Sequence, residues 1–352
     1  MRKSSCQSIC VCQHHSSPGG FMKKKSKRIL AVLASIFVIV AAGCLIAYYG
    51  FYARVYNQTN VAQNTKIGSN VQELTQEQIV ANLAAFPDRF AGTAANAVAG
   101  QYIRNYFTAA GLQPYDEKTG YYHSFRGKWL KNSDYYQISV NGTVENVVGK
   151  ITGAVSTKAL IISTHFDSYM SKGVLDNATG VAVMLELSKR LSEQYPSGTY
   201  PVDMVFAAFN AEECGLEGSR PLYEDLSKRY NDFYNINMDV VGALDTPLVF
   251  HNLDTNAQPL YDDFLPILSE HDIPIDRDAI YASDIYNAPL GRSDHVVFLE
   301  QGRSAIILGE SKLHGYTNTP QDDDLAAIDF PELLRLTDAV EQFIVSANGK
   351  SY

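Results

Sequence analysis

The chain has 352 residues, 46% of them hydrophobic and 19% charged, which excludes a disordered or fibrous polypeptide and leaves room for one large domain or two ordinary ones. No Asp or Glu precedes residue 54, whereas seven of the 29 Lys and Arg do, so the remainder sets 22 basic against 38 acidic residues. A region with a net charge of −16 repels phosphate backbones, which excludes nucleic acid as a partner.

Residues 1–28 read as a basic cytoplasmic segment. Its first 21 residues hold Cys6, Cys10, Cys12, His14 and His15 at spacings that match no zinc finger, and read as an upstream-start extension ahead of Met22. Residues 29–53 form an uncharged run dominated by Leu, Val, Ile and Ala, long enough to span a bilayer. "MKKKSKR" before it and Tyr48, Tyr49, Phe51 and Tyr52 at its end give an N-in, C-out orientation and an aromatic belt. A cleaved signal peptide shares the basic start, but "AAGCLIAYYGFY" stays apolar past any small-residue site. The expectation is a single-pass anchor in the cell membrane, embedded in the lipid bilayer, with the bulk of the chain outside the cytoplasm. Only Cys214 follows the anchor, so no intrachain disulfide can form there.

Residues 54–68 are polar and aperiodic, a tether ahead of a domain over 69–352. Within that domain, Thr75 with apolar Ile79, Leu83 and Phe86 predicts a short amphipathic helix. A second follows, with Val98, Tyr102, Ile103, Tyr106 and Phe107 on one face and Gly111 as its stop. "YYQISV" and "VENVVGKI" alternate as short strands. "ALIIST", "VDMVFAAF", "FYNINMDVV" and "SAIILG" are near-continuous apolar runs, the signature of strands covered on both faces. "ATGVAVMLELSKRLSE", "GSRPLYEDLSKRY" and "DFPELLRLTDAVEQFIVSA" read as helices. The alternation predicts an α/β fold with a single open sheet flanked by helices.

In such a sheet function gathers at the carboxyl ends of the strands. One run exits into His165 and Asp167, with Asp176 nine residues on; the next leads to Glu212 and Glu213; the third ends at Asp239. So many anions converging is costly unless cations neutralise them. An imidazole among carboxylates suits Zn²⁺ better than Ca²⁺ or Mg²⁺. A period of two sets Asp167 on the side of His165, where it can hold the second imidazole nitrogen. The adjacent Glu212 and Glu213 offer one ligand and one free carboxylate, as metal-assisted hydrolysis requires.

"NVVGKITG", "HFDS…VLDNATGVAVMLELSKRL", "FAAFNAEECGLEGS", "NINMDVVG" and "RSDHVVF" together resemble the dizinc aminopeptidase family that includes aminopeptidases S and Y, over roughly residues 75–347. The resemblance implies a zinc exopeptidase-like α/β fold, its single open sheet mixed and mainly parallel, and two Zn²⁺ ions. It implies His165 and Asp239 on one zinc, Asp176 bridging, Glu213 on the second zinc and Glu212 as general base beside Asp167. A cis Asp176–Asn177 bond is also implied. Where the family places a terminal His ligand, "KLHGYTNTPQDDD" has Asn318, with His314 four residues earlier as the alternative. The expected activity is hydrolysis of N-terminal residues from peptides with a free amino terminus, by a water between the metals that Glu212 deprotonates. The alternatives are a single-zinc cyclase resembling glutaminyl cyclase and a non-catalytic binding protein on the same fold, the latter suggested by Asn318. Asp294 and His295 read as wall residues, and Cys214 as a packing residue.

Overall fold

The structure is a computed structural model that describes residues 32–35, 39, 40, 42, 73–127, 143–249, 255–276, 292–310, 313 and 315–352. The chain divides into Met1–Tyr56 and Asn57–Tyr352. The first unit contributes exposed helical residues at 32–35, 39, 40 and 42. Among the described residues no helix is long and apolar enough to cross a membrane. Most of the expected anchor at 29–53, all of the tether at 54–68 and the expected strand "YYQISV" lie outside the described residues.

The second unit begins with α1 (Gln76–Leu83), whose start is fixed reciprocally. Thr75 Oγ1 accepts from the Gln78 backbone at 3.2 Å and Gln78 Oε1 from the Thr75 backbone at 3.0 Å. Helix α2 (Ala94–Ala109) is capped by Thr93, buries Ala99, Ile103, Tyr106 and Phe107, and gives way to Gly111 at φ +82°. Three strands follow: β1 (Gln113–Pro114), β2 (Tyr122–Arg126) and β3 (Thr143–Ile151). Then come β4 (Val155–His165), α3 (Thr179–Gln194), β5 (Val202–Phe209), α4 (Ser219–Arg229) and β6 (Asp232–Met238). The remainder is β7 (Leu248–Val249), α5 (Gln258–Glu270), β8 (Ile275–Asp276), α6 (His295–Leu299), β9 (Ala305–Glu310) and α7 (Phe330–Ala347).

The strands lie in the order β1-β3-β5-β4-β6-β9-β7-β8, with β2 also on β3. The centre, β5-β4-β6-β9, is parallel throughout. The sheet as a whole is mixed: β1, β2 and β5 all pair antiparallel with β3, and β7 pairs antiparallel with β9 and parallel with β8. Parallel neighbours need a crossover helix. Helix α3 carries the chain from β4 to β5, and α4 carries it from β5 to β6.

Both faces of the central strands are buried, and the two sides can be separated by residue parity. Leu160, Ile162, Met204, Phe206 and Ala208 face the larger core with α1, α2, α3, α5 and α7. Ile161, Val205, Ala207 and Phe209 face the smaller one with α4 and α6. This is why these strands read as continuous apolar runs. Full burial of a side chain such as Phe206 contributes about 1.5–3 kcal/mol.

Candidate metal centre

Strand register brings the first groups together. Ser163 of β4 pairs with Asn237 of β6, so two residues farther along each chain His165 and Asp239 stand side by side. Just beyond Asp239 the backbone of Val240 turns into the left-handed region at φ +60°. His165 Nε2 lies 3.2 Å from Asp239 Oδ1 and 3.0 Å from Asp176 Oδ1. The ligand atoms of His165, Asp176 and Asp239 all fall within 4.8 Å of one another, and all three residues are buried. One imidazole nitrogen and two carboxylates at that separation form a donor set that fits Zn²⁺.

Asp167 links this triad to the paired glutamates. The Asp167 backbone carbonyl is 3.2 Å and its Oδ1 3.4 Å from His165 Nδ1. The same carboxylate accepts from the backbone N–H of Glu212 and of Glu213, each at 3.2 Å. Asp167 therefore orients the imidazole and seats the Glu212–Glu213 turn. Glu213 lies outside the 4.8 Å group, and its Oε1 is buried with no hydrogen-bond partner. Asn318, at φ +58°, likewise has a buried Oδ1 without a partner. His314 lies outside the described residues.

The loop carrying Asp176 is gripped from two sides. Arg89, fully buried, donates from Nε to the Phe166 carbonyl at 2.8 Å, from Nη2 to Gly173 at 3.0 Å and from Nη1 to Lys172. Asp322 accepts from the backbone of Leu175 at 2.7 Å and of Asp176 at 3.1 Å. The Asp176–Asn177 bond is cis. Asn177 Nδ2 donates to Thr164 Oγ1 and the Met238 carbonyl, both at 2.9 Å, which fastens the start of α3 to the ends of β4 and β6. Gly180 is required at that junction: a Cβ would sit 2.4 Å from Asn177 Oδ1 and 2.6 Å from Thr164 Oγ1.

The electrostatics record the crowding. Burial pushes the Glu212 and Glu213 carboxyls well up, and neighbouring acids push the same way. Burial also raises Asp176 and takes Asp294 up to about 7; the oxygens of Asp294 lie buried without a well-formed hydrogen bond. For Asp239 burial acts upward, but the His165 imidazole outweighs it and holds the carboxyl low. Burial works against the His165 imidazolium, yet Asp239, Asp167 and Asp176 together hold its pKa well above the ordinary value. Burial raises the Cys214 thiol, so it is not an activated nucleophile.

A family model described as Peptidase family M28 matches residues 146–344, more than half of the chain. The chain belongs to peptidase family M28. Among M28-like relatives, it is similar to the aminopeptidase YwaD of Bacillus subtilis, 30% identical over 195 residues that cover 52% of this chain and 40% of that one. The chain spans two fifths or less of the first curated relatives it matches. Its fold resembles a leucine aminopeptidase precursor from Bacteroides thetaiotaomicron, with a TM-score of 0.61 at 15% identity over 77% of this chain and 95% of the other. It also resembles a glutaminyl cyclase from the same organism, with a TM-score of 0.60 at 16% identity over 77% and 96%.

Three supports of this M28 site escape sequence reasoning: Arg89, Asp322 and Glu310. Glu310 ends β9 and accepts from the backbone of Gly242 and of Ala243 and from Thr246 Oγ1, bracing the turn after Asp239. Each acts across at least 64 residues of chain. The only local hint was an acidic residue at the end of an apolar strand, for Glu310, and the run "QDDD", for Asp322.

Proposed function

We propose that this chain is a membrane-anchored, zinc-dependent aminopeptidase that hydrolyses N-terminal residues from peptides. The observation that carries the reading is the buried His165–Asp176–Asp239 group within 4.8 Å, joined through Asp167 to Glu212. Zinc bound there would polarise a scissile carbonyl and acidify a water. Glu212 accepts the proton of the attacking water as its oxygen adds to the carbonyl carbon. The C–N bond then breaks, and Glu212 returns the proton to the departing amine. Asp167 keeps His165 in one tautomer and holds the backbone under Glu212. The surrounding carboxylates favour the ammonium group of a free peptide amino terminus. Names of aminopeptidases among the relatives and fold neighbours support this substrate class. The uncharged run at 29–53 behind "MKKKSKR" supports the anchor and an extracytoplasmic site.

The full-length protein tests the reading directly. Glu212→Ala should keep its metal, measured by mass spectrometry, and lose turnover on a panel of aminoacyl chromogenic substrates; retained hydrolysis would sink the base assignment. Cyclisation of an N-terminal Gln peptide without hydrolysis would replace the peptidase with the cyclase reading. Release of the protein from membranes by alkaline carbonate would remove the anchor.

A further inference from the structure

Glu213 Oε1 and Asn318 Oδ1 are both sealed from solvent and meet no donor. Leaving a buried acceptor unpaired costs about 1–3 kcal/mol, and more for a charged group. Two such oxygens on segments tied to one loop call for a shared partner. Glu213 is tied through its backbone N–H to Asp167, which touches His165. Asn318 is four residues from Asp322, whose carboxylate holds the Asp176 backbone, a chain span of about 14 Å at most. Asp176 directs Oδ1 toward His165 Nε2 at 3.0 Å, and a carboxylate has two oxygens that can accept or ligate.

We propose that Asp176, Glu213 and Asn318 form a second cation site built of oxygen donors alone, which takes a hard divalent cation of the Mn²⁺ or Ca²⁺ class in preference to zinc. The inference rests on the zinc reading of the His165–Asp176–Asp239 group. Carboxylate and amide oxygens suit Mn²⁺ and Ca²⁺, whereas zinc draws its selectivity from imidazole or thiolate. At the first position His165 supplies that nitrogen. At the second, Asn318 contributes an uncharged, hard oxygen, so the two positions differ in chemistry and the centre is heterodinuclear.

The test uses the full-length protein stripped by chelator and dialysed against Zn²⁺, Mn²⁺ or an equal mixture. Metal is counted by mass spectrometry and bound Mn²⁺ read by electron paramagnetic resonance. The mixture should load one zinc and one manganese per chain. Asn318→Ala should weaken the manganese site at least about tenfold, the lower end of the effect of losing a group that supports a metal, and leave the zinc in place. Asn318→His should turn the second position over to zinc. Two zinc ions per chain from the mixture, unaffected by Asn318→Ala, would overturn the proposal, as would loss of the second metal in His314→Ala. One zinc with no second cation defeats this inference alone; no zinc at all defeats the reading beneath it.

Discussion

Arg89 and Phe166 are joined by a 2.8 Å hydrogen bond from a fully buried guanidinium to a backbone carbonyl, immediately before the residue that orients His165. Arg89 finds carbonyls rather than carboxylates, and burial lowers its pKa to about 10, which still leaves it charged at neutral pH. The pairing is a clamp between the segment after α1 and the loop bearing Asp167 and Asp176. Arg89→Met should leave several buried carbonyls unpaired, at about 1–3 kcal/mol each, and lower both stability and zinc affinity. Arg89→Lys should recover only part, because an ammonium cannot reproduce the planar fork. Urea titration and zinc calorimetry on both variants check this; unchanged zinc affinity would limit Arg89 to packing.

Cation binding should stabilise the fold. The triad holds mutually repelling carboxylates around one imidazole, so zinc binds the native state in preference to the unfolded one. At a free zinc concentration of 100 times Kd the gain is about 2.7 kcal/mol. A thermal melt with zinc and with chelator should show this shift, and His165→Ala should abolish it.

Glu310 predicts a pH dependence. Burial pushes its carboxyl up to about 8, against the hydrogen bonds from Thr246, Ala243 and Gly242. With the folded value above the unfolded one, the native state holds the extra proton between roughly pH 4.5 and 8. Its contribution is thus complete below that window and is lost as pH rises through it, with a slope approaching about 1.4 kcal/mol per pH unit. Urea unfolding across the window should show the decline in the wild type, and Glu310→Gln should flatten it.

Gly180→Ala should be disproportionately harmful for one methyl group. The added Cβ would meet Asn177 Oδ1, Thr164 Oγ1 and the Met238 carbonyl inside 3 Å, and overpacking of this kind costs about 1–3 kcal/mol. Asn177 would have to give way, and Asp176 with it. A melt combined with zinc titration should show both losses; a wild-type zinc affinity would mean the junction yields elsewhere.

Much of this was legible because it is written in short-range pattern. The apolar runs at β4, β5 and β6 announce strands buried on both faces, since alternate residues feed opposite cores. His165 and Asp239 were visible because polar groups at the ends of such strands have no packing reason to be there, and Asp176 because it adds a carboxylate in the loop after the first of them. The antiparallel edges were not visible, because pairing direction depends on where the chain returns rather than on residue type. Helix α5 went unnoticed, with Pro259 at its start and Pro266 inside it breaking the pattern.

By itself, then, the sequence determined the periodicities, the caps and the chemical types placed at the strand ends, all properties of residues close together in the chain. Only the tertiary structure decided that three of those groups share a space 4.8 Å across, that Arg89 and Asp322 grip the loop between them, and that two oxygens lie buried and unpaired. Those are distances between residues up to 147 positions apart. They are set by sheet register and packing, which no local pattern encodes.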